Sequence, residues 1–248
     1  MVLLFNFIQA EPASSLAAEI AAAAVETPAI YSPNRMAKRG AELRTEMLFA
    51  AKAVFLEVGF ERASMDRIAA QAGTTKRTLY AHFVNKENLF LAVFDFVLDL
   101  QQHRLKGPAD YASDTEQALV LFCARFLDAI LSEKPVRLCR LAITEAERFP
   151  QGTVRLHEAM FESAQSRVAL FLSEQLTVGA EASQHLAHTL LAQLVYPRFT
   201  RALFGAIEAQ GTFSEDLGAC PVIDLTAIRG VVATVLLSQA TPLPHVPH

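Results

Sequence analysis

Between Ser64 and Lys86 the chain gathers side chains suited to meeting a polyanion: Thr75, Lys76, Arg77, Thr78, Tyr80 and His82, with Thr74 directly before them. Arg and Lys bond the major-groove acceptors of guanine, Thr touches thymine methyl groups or phosphates, and Tyr reaches a phosphate oxygen. The chemistry on offer is non-covalent recognition of duplex DNA. Covalent chemistry has less to work with. Helical bundles can house di-iron sites, and His157 lies beside Glu158 while Glu181, His185 and His188 fall close together. Such sites use Glu-x-x-His pairs, but the position three before His185 is Ala182 and that before His157 is Val154. No Gly-rich phosphate loop, nucleophile elbow or Cys–His pairing occurs. No enzyme activity, cofactor or metal is expected.

Two short helices must hold these groups. Ser64 can cap a helix whose apolar residues Met65, Ile68, Ala69 and Ala72 form one stripe. Gly73 ends it by supplying positive φ, and Thr74 or Thr75 caps the next helix. Leu79 and Phe83 anchor that second helix in a core, which leaves the polar residues for solvent. Asn85 can cap a third helix. Glu87 suits its dipole but Lys86 does not, so an anionic partner, a phosphate, is expected for Lys86. Upstream, Leu43, Met47, Leu48, Ala51, Val54, Phe55 and Val58 repeat at helical spacing until Gly59.

The segment from Arg44 to Phe90 resembles the DNA-binding domain of the tetracycline-repressor (TetR) family of bacterial transcription regulators. The matching residues are AAxxxFLEVGFE at Ala50 to Glu61, SMDRIAAQAG at Ser64 to Gly73 and TKRTLYAHFVNKENLF at Thr75 to Phe90. RLAITEAERFP, from Arg140 to Pro150, resembles a stretch of that family's C-terminal domain. The resemblance implies a helical homodimeric repressor with an N-terminal DNA-binding domain and a larger domain that dimerises and holds an effector. It also places Thr75, Lys76, Arg77, Thr78, Tyr80 and Lys86 at the DNA, and the helix capped by Ser64 against a phosphate. Arg77 stands where the family often has a small residue, which strengthens the case for a base contact.

Composition fits an all-α, cytoplasmic protein: the chain has 248 residues, is 52% hydrophobic, and favours helix formers over Gly and β-branched runs. The formal charge of −4 hides a segregation. Residues 36–106 hold 11 basic against 8 acidic groups, whereas residues from 107 onward hold 10 against 15. Cys123, Cys139 and Cys220 match no metal spacing and are expected as reduced, buried thiols. The apolar run MVLLFNFI is too short for a membrane anchor.

The expected organisation is a disordered leader over 1–36, a helix-turn-helix DNA-binding domain over 37–84, and a linking helix over 85–106. A helical effector-binding and dimerisation domain over 107–240 and a tail over 241–248 complete it. Arg35, Lys38 and Arg39 would form a basic arm for the minor groove. Helices are expected at 114–132, 135–148, 152–176, 181–195 with a break at Pro197, and 224–238, with a Gly-rich loop over 211–221. The apolar runs LAHTLLAQLV and IRGVVATVLL nominate the helices near 183–205 and 224–238 as a homodimer interface, and a symmetric dimer asks for a palindromic operator. An effector pocket for a small apolar or aromatic molecule is expected among Phe122, Phe126, Cys139, His157, Phe161 and Tyr196. The competing reading is a DNA-binding orphan or architectural regulator without a small ligand.

Overall fold

The structure, a computed structural model, describes residues 33–209 and 223–238, with the side chains of 33–39 and 101–104 excepted. The leader as far as residue 32, the side chains of the basic arm, the loop over 211–221, Cys220 and the tail lie outside the described residues. Helices make up most of the described residues: α1 (Pro33–Arg62), α2 (Met65–Gln71), α3 (Lys76–His82), α4 (Lys86–Arg104), α5 (Thr115–Leu131), α6 (Glu133–Thr144), α7 (Pro150–His157), α8 (Ser163–Leu176), α9 (Ala180–Leu203) and α10 (Leu225–Ser238). A 3-10 turn (Pro108–Asp110) follows α4, and a π-helical segment (Glu158–Glu162) joins α7 to α8.

Helix α1 starts inside the expected leader and bends at Gly59, whose φ is 78°. Its buried face, Met47, Leu48, Ala51, Val54 and Phe55, packs with Ile68, Leu79, Phe83 and Phe90 into one core. Aromatic rings knit that core together. Phe90 lies 5.0 Å from Phe55 and 4.9 Å from Phe60, and Phe149 from beyond α6 sits 5.0 Å from Phe60 and 4.9 Å from Phe90.

In the larger part of the chain, α5 is buried along most of its length, from Ala118 to Leu131, because α6, α9 and α10 all pack on it. A helix apolar on most sides must be central. Three expectations need correction. Helix α6 runs from Glu133 to Thr144, not 135–148, because Pro135 sits in its first turn, where a missing N–H costs no helical bond. The single helix expected over 152–176 is interrupted by the π-helical segment. Helix α9 does not stop near Val195: it continues through Pro197 to Leu203.

Candidate nucleic-acid interface and effector cavity

The α2–turn–α3 unit is built by local hydrogen bonds. The Ser64 hydroxyl accepts from the Arg67 N–H at 3.2 Å, capping α2. At the far end, the Gly73 N–H donates to the Ala70 carbonyl at 3.2 Å and the Thr74 N–H to the Ala69 carbonyl at 3.0 Å. Those two bonds satisfy the last carbonyls of α2 and require the left-handed φ of 60° that Gly73 adopts. Thr75, not Thr74, then caps α3: its hydroxyl accepts from the Thr78 N–H at 3.1 Å and lies 2.8 Å from the Thr78 hydroxyl. Leu79 is fully buried and Phe83 nearly so, which fixes the outward face of α3.

That face carries the expected polar groups. Thr75, Lys76, Arg77, Tyr80 and His82 are exposed, and Thr74 and Thr78 half-buried. Lys76 Nζ donates to Asp66 Oδ2 at 2.9 Å. The bond and charge of Asp66 raise the Lys76 pKa, so the ammonium stays charged. Arg77 has no polar partner among the described residues.

Lys86 departs from expectation. Its ammonium donates to the carbonyls of Phe60 at 2.9 Å, Ala63 at 3.1 Å and Glu61 at 3.3 Å, and lies 4.3 Å above the Phe60 ring. The anion inferred from its position at the start of α4 is replaced by the carbonyl end of α1, where the partial negative charge of a helix terminus favours a cation. All three of its donors are occupied by the protein itself. Lys86 thus bridges the corner between α1 and α2.

The expected effector residues divide. Cys139, His157 and Phe161 line a cavity of about 380 Å³ together with Ile143, Leu156, Met160, Phe199 and others. Phe126, His157 and Phe161 line a second cavity of about 500 Å³ with Glu162, Gln165, Ser166, Gln184 and His188. Two residues belong to neither. Phe122 is fully buried, its ring 6.4 Å from Phe126 and 6.5 Å from Tyr111, so it fills core. Tyr196 is 72% exposed on α9, which continues through Pro197.

Met160 and the polar wall were missed by the sequence reading. The π-helical segment carries Met160, Phe161 and Glu162, and the Ser163 N–H donates to the Glu158 carbonyl five residues back. That wider turn re-aims residues that ordinary helical spacing would place elsewhere, and such insertions recur at functional sites. The Cys139 thiol donates to Met160 Sδ at 3.6 Å. Burial pushes the Cys139 and Cys123 thiols up to about 12, so both stay neutral.

Elements of both halves meet at the corner between α6 and α7. Arg148 pairs with Glu61 and, at 3.5 Å, with Glu87, while its guanidinium lies 4.4 Å over the Phe60 ring. Arg137 donates to the Leu56 carbonyl at 2.9 Å and Arg155 pairs with Asp95 at 3.3 Å. Among the described residues, no helix is long and apolar enough to cross a membrane.

Residues 48–93 match the family described as bacterial regulatory proteins, tetR family, and residues 117–210 match the C-terminal domain of AefR-like transcriptional repressors. The HTH-type transcriptional activator FasR of Mycolicibacterium smegmatis is 36% identical over 89 residues, which cover 36% of this chain and 41% of FasR. The HTH-type transcriptional regulator TtgW of Pseudomonas putida is 31% identical over 111 residues, 44% of this chain and 78% of TtgW. Among solved structures, the flavonoid-responsive regulator FrrA is 27% identical, with a TM-score of 0.60 over 83% of this chain and 100% of FrrA.

Proposed function

We propose that this chain, which belongs to the tetracycline-repressor (TetR) family of bacterial regulatory proteins, is a cytoplasmic DNA-binding repressor that releases a palindromic operator when a small apolar or aromatic effector binds. The observation that carries this reading is the exposed face of α3. Thr75 caps the helix, Leu79 and Phe83 hold it down, and Arg77 stands free among the described residues to meet a base edge. Residues 37–84 are its DNA-binding domain and 107–240 its effector and dimerisation domain.

The operator is engaged by a homodimer formed through α9 and α10. Ala227, Gly230, Thr234 and Leu237 make an exposed stripe on α10, and a Cβ placed on Gly230 would meet nothing within 4 Å. Small residues on an open helical stripe permit close approach by a second copy. The test is a gel shift with DNA upstream of the chain's own gene. Arg77→Ala should lower operator affinity by about 1–3 kcal/mol, roughly 5- to 150-fold, and leave random DNA little changed. Equal loss on both would remove Arg77 from base reading, and indifference to every fragment would overturn the function.

The effector signal passes through the α6–α7 corner. Ile143 and Ala146 face the first cavity, while Arg148 and Phe149, just beyond, grip Phe60, Glu61 and Glu87. Filling the cavity shifts this corner and with it the spacing of the two α3 helices. Arg148→Ala should therefore bind operator and effector but release DNA incompletely. Full release with normal effector affinity would refute the route.

A further inference from the structure

The two cavities share His157 and Phe161 as a common wall, yet their chemistry is opposite. In the first, the polar atoms are turned away or neutral. The Thr153 hydroxyl donates to the Pro150 carbonyl at 2.9 Å and the Phe149 carbonyl at 3.2 Å, and the Cys139 thiol is spent on Met160. Away from the His157 imidazole on the shared wall, a ligand group there finds methyl, thioether and ring surface but no free partner, so a polar group would lose its water uncompensated. Phe161 stands 5.3 Å from Phe199 at 64° and 5.4 Å from His157, an angled set of rings that suits the edge or face of a planar ring.

The second cavity offers two amides, a hydroxyl and an imidazole in Gln165, Gln184, Ser166 and His188. Neither lining contains Lys or Arg. A carboxylate or phosphate would meet Glu162 with no full cation to compensate, and Glu162 already lies 3.4 Å from His157 Nδ1. Groups that both donate and accept, such as hydroxyls and carbonyls, match this wall without a charge.

We infer that the effector is an uncharged two-part molecule whose aromatic body occupies the cavity of Met160 and Phe199 and whose hydroxyl- or carbonyl-bearing end lies against Gln184 and His188. This rests on the reading of the chain as an effector-responsive regulator, and it excludes fatty acids and their thioesters with nucleotide phosphates as the ligand class.

The test is calorimetric titration of the full chain with 4′-hydroxyflavone, flavone and decanoate, repeated in a Gln184→Ala/His188→Ala double variant and in Met160→Trp. The hydroxylated compound should bind at least tenfold more tightly than flavone, and decanoate should not compete. In the double variant the hydroxyflavone-to-flavone ratio should collapse towards one, and Met160→Trp, which fills the apolar chamber, should lose both. Equal binding of the two flavones by the unaltered chain, a ratio that survives the double variant, flavone binding that survives Met160→Trp, or tighter binding of decanoate would overturn this ligand class while leaving an effector cavity in place. Binding of none of the three would overturn the effector reading along with it.

Discussion

Replacing Lys86 with Met separates a structural brace from a DNA contact, because it keeps the alkyl stem and removes only the ammonium. Three carbonyls lose a donor: Phe60 and Ala63 in part-buried positions, and Glu61 in an exposed one. A hydrogen bond from a charged donor contributes roughly 1.5–3 kcal/mol net. The bond to Glu61 is exposed and those to Phe60 and Ala63 are only part-buried, so water largely replaces the ammonium and the loss is that of about one such bond. The cation over the Phe60 ring, 4.3 Å away, adds about 0.5–1 kcal/mol. The net expectation is a destabilisation of about 2–4 kcal/mol, and at roughly 2–4 °C per kcal/mol for a chain of this size the melting temperature falls by about 4–16 °C. Thermal unfolding measures that directly. The second readout is the salt dependence of operator binding. A phosphate contact contributes about 0.9 to the slope of log K against log salt, doubled in a symmetric dimer. With Lys86 committed to carbonyls, the slope should not change. A slope lowered by about two with an unaltered melting temperature would refute the brace.

Gly73→Ala should cost about 1–2 kcal/mol of stability in urea unfolding, all of it from backbone conformation, since a Cβ at Gly73 meets nothing within 4 Å while φ is +60°. Iodoacetamide at pH 8 should leave Cys123 and Cys139 unmodified in site-resolved mass spectra, because thiols pushed up to about 12 hold almost no thiolate there. These folded-state values exceed the unfolded one, so the stability the two thiols confer is complete below about pH 8.5 and lost as pH rises towards 12, which unfolding midpoints between pH 8 and 10 would register.

The DNA-facing unit was legible because its determinants are local. Ser64, Gly73, Thr75 and Asn85 each act on groups within a few positions, and the stripe of Met65, Ile68 and Ala69 needs only helical spacing to be recognised. The intramolecular partners of Lys86 were not legible, because they lie 23 to 26 residues upstream, a distance across which spacing carries no information. The cavity was half legible for a related reason. Phe122, Phe126 and Phe161 have the same periodic signature whether they fill core or line a void, and the π-helical segment that carries Phe161 leaves no mark in that periodicity. Pro197 misled in the opposite direction: α9 accepts the lost hydrogen bond and carries its exposed face onward through Tyr196.

The contact between α7 and α4 narrows how an effector can reach the DNA. A Cβ on Gly152 would fall 2.7 Å from Leu91 Cδ2 and 3.2 Å from Phe94 Cδ2, so at this point the bare backbone of α7 rests on the Leu91 and Phe94 side chains of α4. Thr153, Leu156 and His157, on the same short helix, face the first cavity. A helix this short and this tightly seated moves as a unit, since packed interiors shift between discrete arrangements and do not deform continuously. Displacement of Leu156 by the proposed effector would therefore be felt at Leu91 and Phe94, and at Phe149 against Phe60 and Phe90. On the proposed function, helix α4 would act as the lever and the α6–α7 corner as its driver, with Lys86 at the near end of α4 bonded to the carbonyls that close α1.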